Sequence, residues 1–534
     1  MNRFGQLFTT DSVRNGLFQR VDLSILVLLR VVTGVSLFFW ARSYTQLVPF
    51  TLPDGTVQFV PLFKPIFQDP QFLFKYAGFE WVKLWPGNGI YWHFLVTKIA
   101  ALMLAIGLFT RVSAAVLCGS VAYVLLVERQ IYLNHYYLLA CVAGLLVFLP
   151  SARSLSVDAA IGFERPGATC PRWQIWLVRF QLALPYVFGG IAKMELDWMR
   201  GLPASMILND RKQFAFVDYF TQLPGHALIF SWGGLLFDLL IVPLLLYRRT
   251  RWLAVALAVG FHLSNAFLFK IGVFPWLMLA TLIVFFPIDT FGNLLRCLFA
   301  NYSDSPINYR QSKEIGLQNQ SLLEGKLWLP QGAIGKCGVA LAAIYVIVQL
   351  LLPVRPWIVP GTPSWNERGQ RFAWRMMLRQ KSSMAHFKLV APDGTTRYYP
   401  STIVMTEYQA RRAERNPELL RQAAWQFKRN AEKVGVNDIK VYCLALVSLN
   451  GRKPIPIIDP GVDLLTVKRG WFYDDWVNQQ VGPIPSETWG HPKDEWWQHV
   501  NMPDQFTYLT RGTPSELQKV IDVEIQTERA NIQQ

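Results

Sequence analysis

IYWHFLVTKIAALMLAIGLF (Ile90–Phe109) and VSAAVLCGSVAYVLLV (Val112–Val127) follow one another with only Thr110-Arg111 between them. Each run approaches the roughly 20 mostly apolar residues that carry a helix through the hydrocarbon core of a bilayer. The same reading extends outward to Leu23–Trp40, Leu133–Leu149, Trp173–Ile191, Ala227–Tyr247, Trp252–Phe269, Gly272–Phe286 and Cys337–Leu352. Together they predict a multi-pass all-α transmembrane bundle of about nine helices. The stretch His262–Lys270 reads as a break or a re-entrant point, which changes that number by one.

Composition agrees. Hydrophobic residues make up 52% of the 534 and charged residues only 16%, against roughly 25% charged in soluble domains. Twenty tryptophans suit a chain with many side chains at a lipid–water boundary. The net charge of +16 reads as positive-inside bias plus a basic outer surface. No basic run coincides with a nucleic-acid motif, so nucleic acid is not an expected partner. The six cysteines form no Cys-x-x-Cys pair, which supports neither a disulfide framework nor a zinc site. The polar stretch Met1–Arg20 lacks the pattern of a cleavable signal peptide.

Loop charges set the orientation. With the N-terminus inside, the cytoplasmic side collects Arg3, Arg14, Arg20, Arg111, Arg153, Arg165, Arg172, Arg248, Arg249, Arg251, Arg296, Arg310, Lys313 and Lys326. The Lys193–Lys212 loop runs against this bias, with four positive charges outside. The segment Ala41–Asn88 and everything after Pro353 then lie outside. Proline-rich Pro353–Pro363 reads as the exit linker, dividing a transmembrane domain (1–353) from a water-facing α+β domain (354–534). Hairpins are expected at His386–Val390/Thr395–Tyr399 around Ala391-Pro392-Asp393-Gly394, and at Ile439–Leu449/Lys453–Ile458 around Asn450-Gly451. Between them, Glu407–Glu432 has helical periodicity interrupted at Asn416-Pro417 and stopped by Gly435.

Ionisable residues inside spans are costly and usually functional. Lys193, in Gly189-Gly190-Ile191-Ala192-Lys193-Met194-Glu195-Leu196-Asp197, follows directly on an apolar run. An amine desolvated there can act as a neutral general base near pH 7. The rival reading is an interfacial lysine that snorkels and pairs with Glu195 or Asp197. His262 lies in mid-membrane or at a break, where a lone histidine commonly just bonds across helices. Asp238 needs a cation, and Arg30 in the first span is a candidate for it. Asn134-His135 looks interfacial. No two histidines have metal-ligand spacing on one helix, and no phosphate-cradling glycine loop occurs.

The lysine segment, Gly234–Asp238, the run His262–Phe274, Met278-Leu279, Trp365-Asn366, Trp374-Arg375-Met376-Met377, Asp393-Gly394 and Asp459-Pro460-Gly461-Val462-Asp463 occur in one order. That order and spacing resemble the vitamin K-dependent γ-glutamyl carboxylases, which share the horizontally transferred transmembrane (HTTM) domain. The resemblance covers Ser24 to Trp476. It implies that a lysine, here Lys193, deprotonates vitamin K hydroquinone (or menaquinol), which reacts with O2 to its epoxide. The strong base so formed removes a γ-hydrogen from a peptide glutamate, and CO2 adds. His262, Asn265, Trp374 and Met376 match quinone-pocket segments, and no metal is implied. Asp238, Arg30, Glu195 and Asp197 remain structural or ion-pair candidates. The lipid bilayer, a quinone and a glutamate-containing peptide are the implied partners.

The chain departs from the family pattern in three places. Ser156-Val157-Asp158 is kept, but Ala152-Arg153-Ser154-Leu155 stands where the family carries Asn-His-Tyr, with a histidine associated with carboxylation. The resemblance therefore carries the quinone half more fully than the carboxylation half. Arg375 replaces a family aspartate. The animal enzymes continue well beyond this chain's end, so the short form resembles a bacterial protein of the cell (inner) membrane. Alternatives are an epoxidase-only homologue and a non-catalytic quinone- or lipid-binding protein. A transporter built on Asp238 and Arg30 would show inverted repeats, and none is found.

Overall fold

The computed structural model of the chain describes residues 16–51, 56–269, 271–288, 290–292, 328, 330, 332–468 and 475–510. Every expected span falls on a helix: α1 (Ser24–Thr45), α2 (Gly89–Ile106), α3 (Thr110–Val127), α4 (Asn134–Phe148), α5 (Arg172–Ala192), α6 (His226–Leu246), α7 (Arg251–Leu268), α8 (Phe274–Thr281) and α9 (Gly332–Ile358). Seven of them are long and apolar enough to cross a bilayer, while α4 and α8, the latter extended by a 3₁₀ turn to Phe285, are shorter. Lys270, Arg296, Arg310, Lys313 and Lys326, used in reading the break and the orientation, lie outside the described residues, as do Arg3 and Arg14.

Small residues set how closely the helices approach. A Cβ on Gly34 of α1 would stand 2.7 Å from the Ala101 carbonyl oxygen and the Ala105 nitrogen of α2, so only glycine admits that contact. At one end of the bundle, Arg30 donates to the carbonyls of Ser151 (2.7 Å) and Leu155 (2.5 Å). Two short ribbons flank the helices: β1 (Arg20–Asp22) pairs with β4 (Thr169–Pro171), and β2 (Leu47–Thr51) with β3 (Val57–Pro61). Trp81, Trp85 and Trp92 are exposed around the start of α2, the placement of an interfacial aromatic belt.

The later domain is an antiparallel sheet in the order β6-β5-β7-β8, with β5 at Lys381–Val390, β6 at Thr396–Pro400, β7 at Lys440–Leu449 and β8 at Ile455–Pro456. Both expected hairpins form. Asn450 and Gly451 take φ of +50° and +78°, the left-handed pair that a two-residue turn of this hand requires. Helices α10 (Glu407–Ala413) and α11 (Pro417–Lys433) are separated at the expected Asn416-Pro417, where the Asn416 side chain caps α11. They bury Leu420 and Phe427 on the face of the sheet that presents Phe387, Val441 and Cys443. Leu444 and Leu446 point the other way, toward Trp496, Phe506 and Leu509. Strand β7 is thus buried on both faces and reads as a continuous apolar run.

The exit linker starts later than expected. Helix α9 continues through Pro353 and Pro356 to Ile358. At Pro356, the Leu352 carbonyl that loses its helical donor accepts instead from Arg355 Nε at 3.0 Å. The two domains are tied together directly: Gln130 Nε2 donates to the Gln409 carbonyl (2.9 Å) and Gln409 Nε2 to that of Phe72 (2.8 Å).

Candidate active site

After one short helical turn at Pro363–Asn366, the segment that follows α9 crosses the end of the bundle without regular structure up to β5. Glu367, Phe372, Trp374 and Met377 all have φ between +56° and +64°, four of the eight non-glycine residues with positive φ among those described. Such conformations cost about 1–3 kcal/mol each and cluster at functional sites. Beneath this segment lies a cavity of about 380 Å³, inside the about 300–1,000 Å³ range of ligand sites.

Its walls differ. From the helix bundle come Leu133, Tyr186, Phe261, Phe269, Phe274 and Met278; from the chain after α9, over the bundle's end, come Arg371, Arg375, Arg379, Arg412 and Arg415 with Glu367 and Gln370. Lys193, Asp238, His135, His262 and Asn265 also line it. The pocket therefore has one apolar, largely aromatic wall and one wall rich in guanidinium groups.

Lys193 is 5% exposed and donates to the Asp238 carboxylate, which is 4% exposed. The preceding glycines make this contact. A Cβ on Gly190 would come within 2.7 Å of Leu239 Cδ2, and one on Gly189 within 3.2 Å of Asp238 Oδ2. The ammonium also lies 5.4 Å from the Trp198 ring centroid. Snorkelling toward Glu195 or Asp197 does not occur. Glu195 accepts from Arg375 and from Ser364 Oγ (3.0 Å). Asp197 accepts from Arg452 Nη1 and Nη2 at 2.6 and 2.7 Å. Burial works against the Asp197 charge, but the Arg452 and Asn450 donors hold its carboxyl below the usual range.

Arg30 is not the partner of Asp238. Its place near the start of α1 directs it to the carbonyls beyond α4, at the opposite end of the bundle from the cavity. His262 shares a 2.8 Å hydrogen bond with the Tyr186 hydroxyl, and its Nδ1 is buried without a protein partner. Asn265 and Met376 line the cavity. Trp374 does not; it is 1% exposed behind the wall, 5.2 Å from the Tyr137 ring.

His135, read as interfacial, is 7% exposed and lines the cavity. The missed signal is its place in the first turn of α4, directly after the Glu128–Tyr132 loop that meets the outer domain. Arg153 lies past the other end of α4, a 15-residue helix and so about 22 Å long. It pairs with Glu164 at 3.4 Å, remote from the cavity. The arginines of the outer wall were also missed, since nothing in single-sequence pattern distinguishes them from a solvated basic face.

Comparison with known families agrees with this architecture. Residues 18–289 match the HTTM domain, and residues 335–481 match the vitamin K-dependent gamma-carboxylase lumenal domain. The chain belongs to the vitamin K-dependent gamma-carboxylase family. No solved structure matches it.

Proposed function

We propose that the protein is a membrane enzyme that couples oxidation of a reduced vitamin K or menaquinol to γ-carboxylation of a peptide glutamate. The observation that carries this reading is the single cavity with an apolar wall, a five-arginine wall and Lys193 between them. A quinol ring suits the aromatic wall, with His262 and Tyr186 as polar handles for its oxygens. Glutamate carboxylates suit the arginines. When bound, the quinol, oxidised by O2 to its epoxide, supplies the strong base that takes the γ-hydrogen, after which CO2 adds to the carbon.

The chain's own residues do the rest. Lys193 Nζ accepts the quinol proton, and Asp238 Oδ2 holds the proton that the amine must first release, so that neither group is left charged and alone in a dry site. His135, which makes no hydrogen bond to protein among the described residues, is free to move a proton in the carboxylation half. Arg153, beyond the far end of α4, has no part in it. The apolar wall of Tyr186, Phe261, Phe269 and Phe274 keeps water from the quinone half. In this reading the α+β domain, from about residue 354, faces away from the cytoplasm. The membrane is a bacterial cell membrane.

The deciding experiment supplies purified protein with vitamin K hydroquinone, O2 and labelled bicarbonate, with and without a glutamate peptide. Epoxide and peptide-bound label are both expected. Epoxide without label would leave an epoxidase-only homologue; neither product would leave a quinone- or lipid-binding protein.

A further inference from the structure

His491, Glu495 and His499 stand at every fourth residue, and two of the chain's seven histidines fall within this stretch. The turns Lys493–Glu495 and Trp496–His499 wind Glu495 and His499 onto one side, four residues apart, and His491 meets them from the extended residues before the first turn. Their ligand atoms lie within 4.8 Å of one another. His491 stands before the first of these turns, so the cluster joins a helical histidine to one outside the helix, a case that a search for two histidines on one helix does not reach. The stretch opens on His491-Pro492, and its helical winding shows only in the fold.

The scaffold under these side chains is firm. Trp496 is 2% exposed among Leu444, Leu446, Phe506 and Leu509, and its indole Nε1 donates to the His491 carbonyl at 3.1 Å. The Trp489 ring lies 4.7 Å from His491, and the two imidazoles stack at 3.8 Å between centroids. Lys493 Nζ reaches the Ser383 carbonyl of β5 at 3.3 Å. The backbone that carries the ligands is therefore fixed to the sheet.

We propose that His491, Glu495 and His499 form a surface site for a divalent first-row transition ion of the zinc, cobalt or nickel class. Two imidazoles and one carboxylate suit these ions, whereas calcium and magnesium take oxygen ligands. With bonds of about 2.0–2.2 Å, the edge of a tetrahedral site is roughly 3.4 Å. Rotation of surface side chains closes the spacing to that distance. Three protein ligands leave a position open to water or to a further ligand. The site lies beyond residue 481, where the match to the lumenal domain ends, so it belongs to the segment that covers the second face of the sheet. A bound ion would fasten that segment around Trp496.

The test uses full-length, tag-free protein in detergent, dialysed against Zn(II) and titrated with Co(II). One ion per chain and Co(II) ligand-field bands are expected. His491→Ala and His499→Ala should each weaken Zn(II) binding about tenfold or more, since even outer-shell changes cost 10–100-fold. Glu495→Gln should weaken it less and keep the segment folded. Zn(II) should slow proteolysis between residues 482 and 510 in the wild type and not in His499→Ala. No ion uptake by the wild type, or uptake unchanged in both histidine variants, would overturn the site.

Discussion

The Lys193 ammonium is bonded to the Asp238 carboxylate across the α5–α6 contact, with side chains only 6% and 5% exposed. A buried pair of this kind is costly to break, because removing one partner strands the other charge, at about 3–5 kcal/mol. Lys193 and Asp238 therefore have to be tested together.

Lys193→Ala should abolish epoxidation, with a loss of about 10²–10⁴-fold typical for a positioned general base. Lys193→Arg should not restore it, since a guanidinium stays protonated. The alanine variant is expected to be less stable because Asp238 is stranded, and Lys193→Ala/Asp238→Asn should recover thermal stability without activity. Near wild-type epoxidation in Lys193→Ala would put the base elsewhere.

His135→Ala should separate the two halves. Label incorporated into peptide should fall by about 10²–10⁴-fold, while epoxide formation stays within a few-fold of wild type. Equal loss of both products would make His135 part of the quinone half instead. Arg153→Ala should change neither product, being remote from the cavity.

Arg371 and Arg412 make no side-chain hydrogen bond to protein among the described residues, and Arg412 Nη1 is buried with no acceptor. They rest against Tyr76 and Tyr408, with guanidinium-to-ring distances of 5.8 and 4.3 Å. A charge-assisted bond to substrate is worth about 1.5–3 kcal/mol, so Arg412→Ala should raise KM for a glutamate peptide roughly 10- to 100-fold. Quinol-dependent epoxide formation without peptide should hold. An unchanged peptide KM in both Arg371→Ala and Arg412→Ala would remove them from substrate binding.

Glu367 anchors the strained segment, bonded to Arg379 at 2.8 Å and Lys381 at 2.7 Å. Burial opposes its charge, but the two cations hold its carboxyl down to about 2. Its folded value lies below the unfolded one of about 4.3, so its stabilisation is full above that pH and lost as pH falls toward about 2. Burial pushes the Lys381 amine down to about 8, a cost already complete at neutral pH. Within this Glu367–Lys381 pair, acidification from pH 7 therefore acts through Glu367. Glu367→Gln should melt earlier than wild type at pH 7, and the gap should narrow toward pH 3; a gap independent of pH would refute the assignment.

Topology gives the broadest test. A tag after Gln534, which lies outside the described residues, should be accessible from outside the cell. A tag between residues 248 and 251, at the turn joining α6 to α7, should not be. Both tags on one side would sink the nine-helix arrangement.

Much of this was local and so legible in sequence. Apolar length gave the nine helices, including the short α4 and α8, because lipid forces each span to satisfy its backbone within itself. Turn chemistry gave Asn450-Gly451, and the break at Asn416-Pro417 followed from capping and the missing proline N–H. Lys193 and His262 stood out because polar groups in apolar runs are rare. What the residues met was decided only in three dimensions. Lys193 could have paired with Glu195 or Asp197, four residues away at most; folding gave those carboxylates to Arg375 and Arg452 and gave Lys193 an aspartate 45 residues on. His135 became part of the cavity, and Arg153 was removed from it, by the direction in which α4 runs. The arginine wall exists because α10, α11 and the 367–379 segment converge over the bundle. Hydrophobic periodicity records which face of an element is buried, but not which distant charge will be waiting there.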